Sequence, residues 1–210
     1  MNVFVESNFL LEIAFQQEHH AACERILAGA ATGRYQLHVP QYALTEVFQT
    51  LHRRAAERAE YQQYFQGQIN QHRREAEFDA AEVDQLVRLL NDLLTTRTTT
   101  QASRLFSLAQ RLATQAPGPP LTAAVLTEAP ALQVAHGLGA QDALVYASVL
   151  AGLRALPSGP KLFITRNDND FKKPAIVEEL QGYDCKLLPN FKGAADLLDF
   201  GQSIPGRLAE

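Results

Sequence analysis

The chain has 210 residues, 46% of them hydrophobic and 20% charged, with a net charge of −4. That length supports one substantial core, and the acidic balance excludes a general electrostatic attraction to nucleic acid, leaving only local basic patches for that purpose. Cys23 and Cys185 are far apart, make no CxxC and read as reduced, buried thiols.

The first residues lack the basic region, apolar core and cleavage site of a signal peptide, and no apolar run is long enough to span a bilayer. A cytoplasmic protein with no membrane association is therefore expected.

Residues 2–5 predict a short strand. Phe9 to Phe15 predict a helix with Ser7 as its N-cap, which places Glu6 where strand hands over to helix, near the helix's positive end. Residues 18–32 predict a second helix. Leu37 to Val39 predict a second strand, halted by Pro40. Residues 41–51 predict a helix with Leu44, Val47, Phe48 and Leu51 on its apolar face and Glu46 on the flank.

Residues 51–116 differ in character: only Gly67 interrupts a stretch rich in glutamine, alanine and charge. Two or three long helices are expected, including 79–94 and 101–115. This stretch carries nine arginines against eight acidic residues, a net of +1, and the remainder of the chain carries −5. The arginines at 53–58 and 73–74 suit either a solvated helix face, with pairs such as Arg53–Glu57, or contact with phosphates.

After the Pro117–Pro120 break, residues 121–136 predict a helix and 141–156 a stronger one, with Asp142 in its first turn. Residues 161–165 predict a third strand, which stops at the polar cluster Thr165, Arg166, Asn167, Asp168, Asn169 and Asp170. A helix from Pro174 to residue 181, a strand at 185–188, a helix at 193–200 and a loose tail at 201–210 complete the chain. The alternation predicts an α/β fold, with a mostly parallel central sheet of four or more short strands flanked by helices.

Four acidic locations then share one description. Glu6 ends the first strand, Glu46 follows the second, Asp142 precedes the third, and Asp168 and Asp170 follow it. In an open α/β sheet ligands bind at the carboxyl ends of the strands. Carboxylates gathered there repel one another unless they are protonated, hydrogen-bonded or bound to a cation. Such a cluster suits Mg2+ or Mn2+ held through oxygen, and phosphodiester hydrolysis without a serine, cysteine or histidine nucleophile. The bland reading of each residue is a helix N-terminal acid, an exposed helix carboxylate or an Asx turn.

Four segments carry a resemblance: Val3-Phe-Val-Glu-Ser-Asn8, Val39-Pro-Gln-Tyr-Ala-Leu-Thr-Glu-Val47, Gly139-Ala-Gln-Asp-Ala-Leu-Val-Tyr-Ala147 and Phe163-Ile-Thr-Arg-Asn-Asp-Asn-Asp-Phe171. Together, and in this order, they resemble the PIN-domain family of metal-dependent nucleases. The likeness covers about residues 1–50 and 120–200. It implies one PIN-like domain over 1–200, with a helical insertion at about 52–116. It also implies a Mg2+- or Mn2+-dependent endoribonuclease with Glu6, Glu46, Asp142 and Asp170 as catalytic metal-holding residues, assisted by Asn167 or Asp168. Glu6 stands where the family usually has aspartate, and Asn167 supplies a neutral oxygen where an acid or amide is usual.

Ser7 and Thr165 suit hydrogen bonds to a phosphate or to water, and Arg166, Lys172 and Lys173 lie beside the loop where a nucleic-acid backbone would run. The expected partner is RNA. Many relatives are toxins neutralised by an antitoxin, and others process RNA; a protein partner of that kind and a homodimer both fit the resemblance. The alternative is a catalytically weak or inactive PIN-like module that binds RNA or a protein through its helical arm.

Overall fold

The computed structural model describes residues 1–74, 80–116 and 118–200. The expected tail at 201–210, the first residue of the helix expected over 79–94, and Pro117 lie outside the described residues. The chain order is β1 (Asn2–Val5), α1 (Ser7–Phe15), α2 (His20–Ala31), β2 (Gln36–His38), α3 (Gln41–His72), α4 (Ala80–Gln115), α5 (Ala123–His136), α6 (Ala140–Ala155), β3 (Lys161–Ile164), α7 (Asp168–Phe171), α8 (Pro174–Gln181), β4 (Cys185–Leu188) and α9 (Phe191–Phe200).

The four described strands form one sheet in the order β2-β1-β3-β4, and every pairing is parallel. The two central strands run Val-Phe-Val and Leu-Phe-Ile, apolar on both faces, as a sheet covered on both sides requires. Val3, Val5, Leu162 and Ile164 point into one core with α1, α2, α9 and the bases of α3 and α4. Phe4 and Phe163 point into the other, with α5, α6 and α8. The α/β expectation holds, with four strands.

Two local expectations are corrected. The helix over 41–51 does not stop: α3 runs for 32 residues, and Gly67 sits inside it without interrupting it. The helices expected at 79–94 and 101–115 are one helix of 36 residues. The stretch between them, Thr95-Thr-Arg-Thr-Thr-Thr100, is β-branched and therefore a modest helix former, but it holds no proline or glycine to end a helix. Its hydroxyls fold back on the helix instead: Thr98 Oγ1 donates to the Leu94 carbonyl at 2.9 Å and Thr99 Oγ1 to the Thr95 carbonyl at 3.1 Å.

α3 and α4 form an antiparallel hairpin. Arg58 of α3 donates to Thr98 and Gln101 of α4, and Gln62 reaches the Asn91 carbonyl. Among the described residues, only the base of this hairpin joins the core, through Ala43, Val47, Leu105, Leu108 and Leu112. Cys23 and Cys185 are buried free thiols, one in each core. No helix among the described residues is long and apolar enough to cross a membrane.

α6 lies close against β1 because Gly152 has no side chain. A Cβ there would stand 2.7 Å from Phe4 Cε1 and 2.7 Å from Pro119 Cγ. The substitution Gly152→Ala is expected to destabilise the fold by about 1–3 kcal/mol despite alanine's better helix propensity, as measured by urea unfolding.

Candidate metal centre

The candidate site begins with strand register. β1 and β3 are neighbours, and Val5 is paired with Ile164. The next residue on each strand, Glu6 and Thr165, therefore meet at the carboxyl edge of the sheet. Thr165 Oγ1 donates to Glu6 Oε1 at 3.2 Å, and the Arg166 backbone N–H donates to the same oxygen at 3.3 Å. The other oxygen, Oε2, accepts the Asn8 backbone N–H at 2.8 Å.

Glu6, rather than the expected Ser7, is thus the N-cap of α1. The helix starts one residue earlier than predicted, and this frees the Ser7 hydroxyl to donate to Glu46 Oε2. Glu46 is brought there by the second turn of α3, which follows β2 directly. Asp142 stands in the first turn of α6, where it accepts from Asn167 Nδ2 at 3.0 Å. Asn167 is set by its own backbone N–H, which donates to Thr165 Oγ1 at 2.8 Å.

The polar cluster after β3, for which an Asx turn was the bland reading, contains one turn of helix, α7. Phe171 anchors it: the ring is buried, 5.3 Å from Phe163 and 6.1 Å from Tyr146 by centroid. That anchor carries Asp170 toward Asp142. Asp168, on the same turn, is exposed and faces Lys172 at 4.0 Å.

The electrostatics run in sequence across the site. Burial pushes the Glu6 carboxyl up to about 7, against the lowering effect of its three hydrogen bonds, and the charge of Glu46 adds to the rise. Glu46 is raised by burial, eased by Ser7, and raised again by the charge of Asp142. Asp142 is raised by burial and then by the charge of Asp170, eased by Asn167. Each of the four carboxylates named from sequence is therefore close enough to the next to feel its charge.

Glu6, Glu46 and Asp142 each also accept from an internal donor. Among the described residues, no group of three or more His, Cys, Asp or Glu side chains is arranged to hold a metal ion. The donor chemistry still fits a hard divalent cation, because the site offers carboxylate and amide oxygens and both thiols lie in the cores. Glu46, Asp142, Asn167 and Asp170 are only partly buried, and Glu46 and Asp142 are held by hydrogen bonds from Ser7 and Asn167.

The residues named for substrate contact are placed differently from one another. The Thr165 hydroxyl is fully buried on Glu6, and that of Ser7 is held by Glu46. Arg166 turns away from the cluster, donating to Glu12 at 2.8 Å and to Glu18 at 3.1 Å. Lys173 donates to the carbonyls of His136 and Gly137, closing the end of α5. Lys172 is exposed beside the loop, with Asp168 at 4.0 Å.

Sequence reasoning missed Glu12. It is 2% exposed, on a helix otherwise buried in apolar contacts, and it also accepts the His19 backbone N–H. An acid in so apolar a run signals a buried partner, but Arg166 is 154 residues away and no local spacing names it.

Two outcomes follow from this geometry. The folded pKa of Glu6 lies above its ordinary value, so its contribution to stability is whole below about pH 4.5 and is lost as pH rises through about 7. The loss is on the order of 3 kcal/mol. In chelator, the wild type is expected to lose stability relative to Glu6→Gln between about pH 5 and pH 8, by urea unfolding at each pH. Separately, Arg166→Met leaves Glu12 buried without its cation and is expected to cost about 2–4 kcal/mol, whereas Lys172→Met stays within about 0.5 kcal/mol by the same measurement.

Comparison with curated proteins and with solved structures gave no match. A family model described as PIN domain matches residues 3–171, from β1 through α7 and across the whole helical hairpin. PIN domains have a nuclease-like fold, generally act on nucleic acids and typically use divalent metals. With its all-parallel four-stranded sheet and its carboxylates at one edge, the chain belongs to the PIN-domain family.

Proposed function

We propose that this PIN domain is a metal-dependent ribonuclease that hydrolyses phosphodiester bonds. The observation that supports the reading best is the unbroken succession of charge coupling from Glu6 through Glu46 and Asp142 to Asp170. A fold does not gather like charges at a partly buried edge without cost, and a bound cation is what relieves that cost. Glu46, Asp142 and Asp170 would hold Mg2+ or Mn2+, with Asn167 as a neutral oxygen donor and Asp168 at the rim. Glu6, deepest and most fully hydrogen-bonded, would set the floor of the site.

The chemistry a divalent cation supplies in such a site is neutralisation of phosphoryl charge and a lowered pKa for water. The chain's own residues do the rest. Ser7 and Asn167 orient Glu46 and Asp142, and a partly buried carboxylate with a raised pKa accepts a proton from water more readily than an exposed one. Lys172, exposed and paired loosely with Asp168 at 4.0 Å, would meet the phosphate backbone beside the cut. The order of the site also fits a second reading, a non-catalytic module, because Glu6, Glu46 and Asp142 are each already satisfied by internal donors.

One assay separates the two. Single-stranded RNA is incubated with the protein in Mn2+, Mg2+ or chelator, and cation binding is followed by calorimetry. Cleavage is expected only with a divalent cation, and Asp142→Asn is expected to lower it by about 100-fold or more. Cleavage unchanged in Asp142→Asn would remove the proposed site. No cleavage together with no heat of cation binding would assign the non-catalytic reading.

A further inference from the structure

The threonine run that carries α4 unbroken also borders a cleft of about 310 Å3, between the end of α1 and the middle of α4. Phe15 and Leu93 supply its apolar wall. Thr96, Arg97, Thr100, Gln101 and Arg104 supply its polar one. At about 100° per residue, positions 93, 97, 100 and 104 fall within one narrow stripe of α4, with 96 and 101 on its flanks.

The polar groups that this wall leaves free are donors. Among the described residues, Arg97 and Arg104 have neither a hydrogen-bond nor an ion-pair partner. Gln101 is 4% exposed; its Oε1 accepts from Arg58 at 2.8 Å, and its Nε2 has no partner among the described residues. The hydroxyls of Thr98 and Thr99 turn back to the helix, whereas those of Thr96 and Thr100, on the cleft side, are left unbonded. No carboxylate lines the cleft. Glu24, which shares a neighbouring hollow with Arg104, is taken up by Arg111 at 2.9 and 3.0 Å.

Two more cations border the same place. Arg54 lies 4.5 Å over the Phe15 ring, and Arg58 is bound to the neutral Thr98 and Gln101. Burial, then the charges of Arg58 and Arg53, hold the Arg54 pKa below its ordinary value. Cations gathered without acids repel one another, and a bound anion relieves the repulsion as a cation does at the carboxylate edge.

We propose that this cleft is a phosphate-binding subsite for single-stranded RNA, seating the strand about two turns of α3 away from the carboxylate edge. The ribonuclease reading supplies the identity of the polyanion, and the proposal rests on it. Glu46, Thr50 and Arg54 form an i, i+4, i+8 ridge on α3, so the ridge that starts at the carboxylates ends at the arginines, about 12 Å on. That is three to four nucleotides at the rise of about 3.4 Å of a stacked strand. Arg97 and Arg104 stand about 10 Å apart along α4, more than one phosphate spans, so successive phosphates of one strand suit them. Guanidinium forks match phosphate oxygens. The negative end of α1 opposes an anion with only about half a charge, against two full charges on the lining. An acidic peptide brings the same charge, but also backbone N–H donors, and this wall holds few free acceptors for them.

The test needs no cleavage. A short labelled single-stranded RNA is titrated with the full chain in chelator across a salt series, and binding is read by fluorescence anisotropy. Arg97→Gln with Arg104→Gln is expected to weaken binding and to make the slope of log affinity against log salt shallower by about 1.4, or about 0.7 for each lost phosphate contact. Thr100→Glu, which sets a carboxylate in the cleft and removes no arginine, is expected to weaken binding too. Arg88→Gln with Lys186→Gln removes the same charge at exposed positions outside the cleft and is expected to leave the slope unchanged. If the slope falls as expected but the wild type cuts no RNA in Mn2+, the cleft stands as an RNA seat and only the ribonuclease reading is lost. A slope unchanged in the cleft double variant, or changed equally in the control, overturns the proposal; cleavage that persists then leaves the ribonuclease reading intact. Unchanged RNA binding with lost binding of an oligoglutamate peptide also overturns it, and gives the cleft to an acidic protein segment.

Discussion

The structure depends on one buried carboxylate. Glu6 leaves β1, caps α1 through the Asn8 N–H, and holds the end of β3 through Thr165 and the Arg166 backbone. The ends of β1 and β3 and the start of α1 are tied at two oxygens. The glutamate side chain directs one oxygen to the helix N-terminus while the other faces the neighbouring strand. The arrangement keeps an acid in a place that disfavours its charge. Burial and the charge of Glu46 raise its pKa, while Glu46 and Asp142 are raised first by their own burial.

Around this knot the loop after β3 is held from both sides. Phe171 pins one end in the core beneath α6, and Arg166 pins the other on Glu12 of α1. Between the pins Asn167 and Asp170 are left to face Asp142. A basic residue beside an acidic loop invites assignment to substrate; here burial of its partner makes it a fastening of the loop.

Much of the fold was legible because its signals are local. Val-Phe-Val and Leu-Phe-Ile announce buried strands, Pro40 and Pro174 mark where helices begin, and the alternation of elements implies a parallel sheet. The hairpin was misjudged because a run of threonines lowers helix propensity without forbidding the helix, and the hydroxyls supply their own acceptors on the preceding turn. The four acids were nameable as candidates from their positions at element ends. Their pairing with Ser7, Thr165 and Asn167, and the diversion of Arg166 to Glu12, rest on partners up to about 160 residues distant, which no periodicity encodes.

The strand order has a consequence for how the chain comes into being. β1 lies at the centre of the sheet, and one of its two neighbours, β3, begins at Lys161. A chain emerging from the ribosome can wind the α3–α4 hairpin early, since those contacts are close in sequence. It cannot close the sheet, give Glu6 its partner Thr165 or bring Asp170 to Asp142 until synthesis has passed β3 and α7. The carboxylate cluster is therefore assembled among the last features of the fold, and a growing chain carries the parts of the site long before it carries the site.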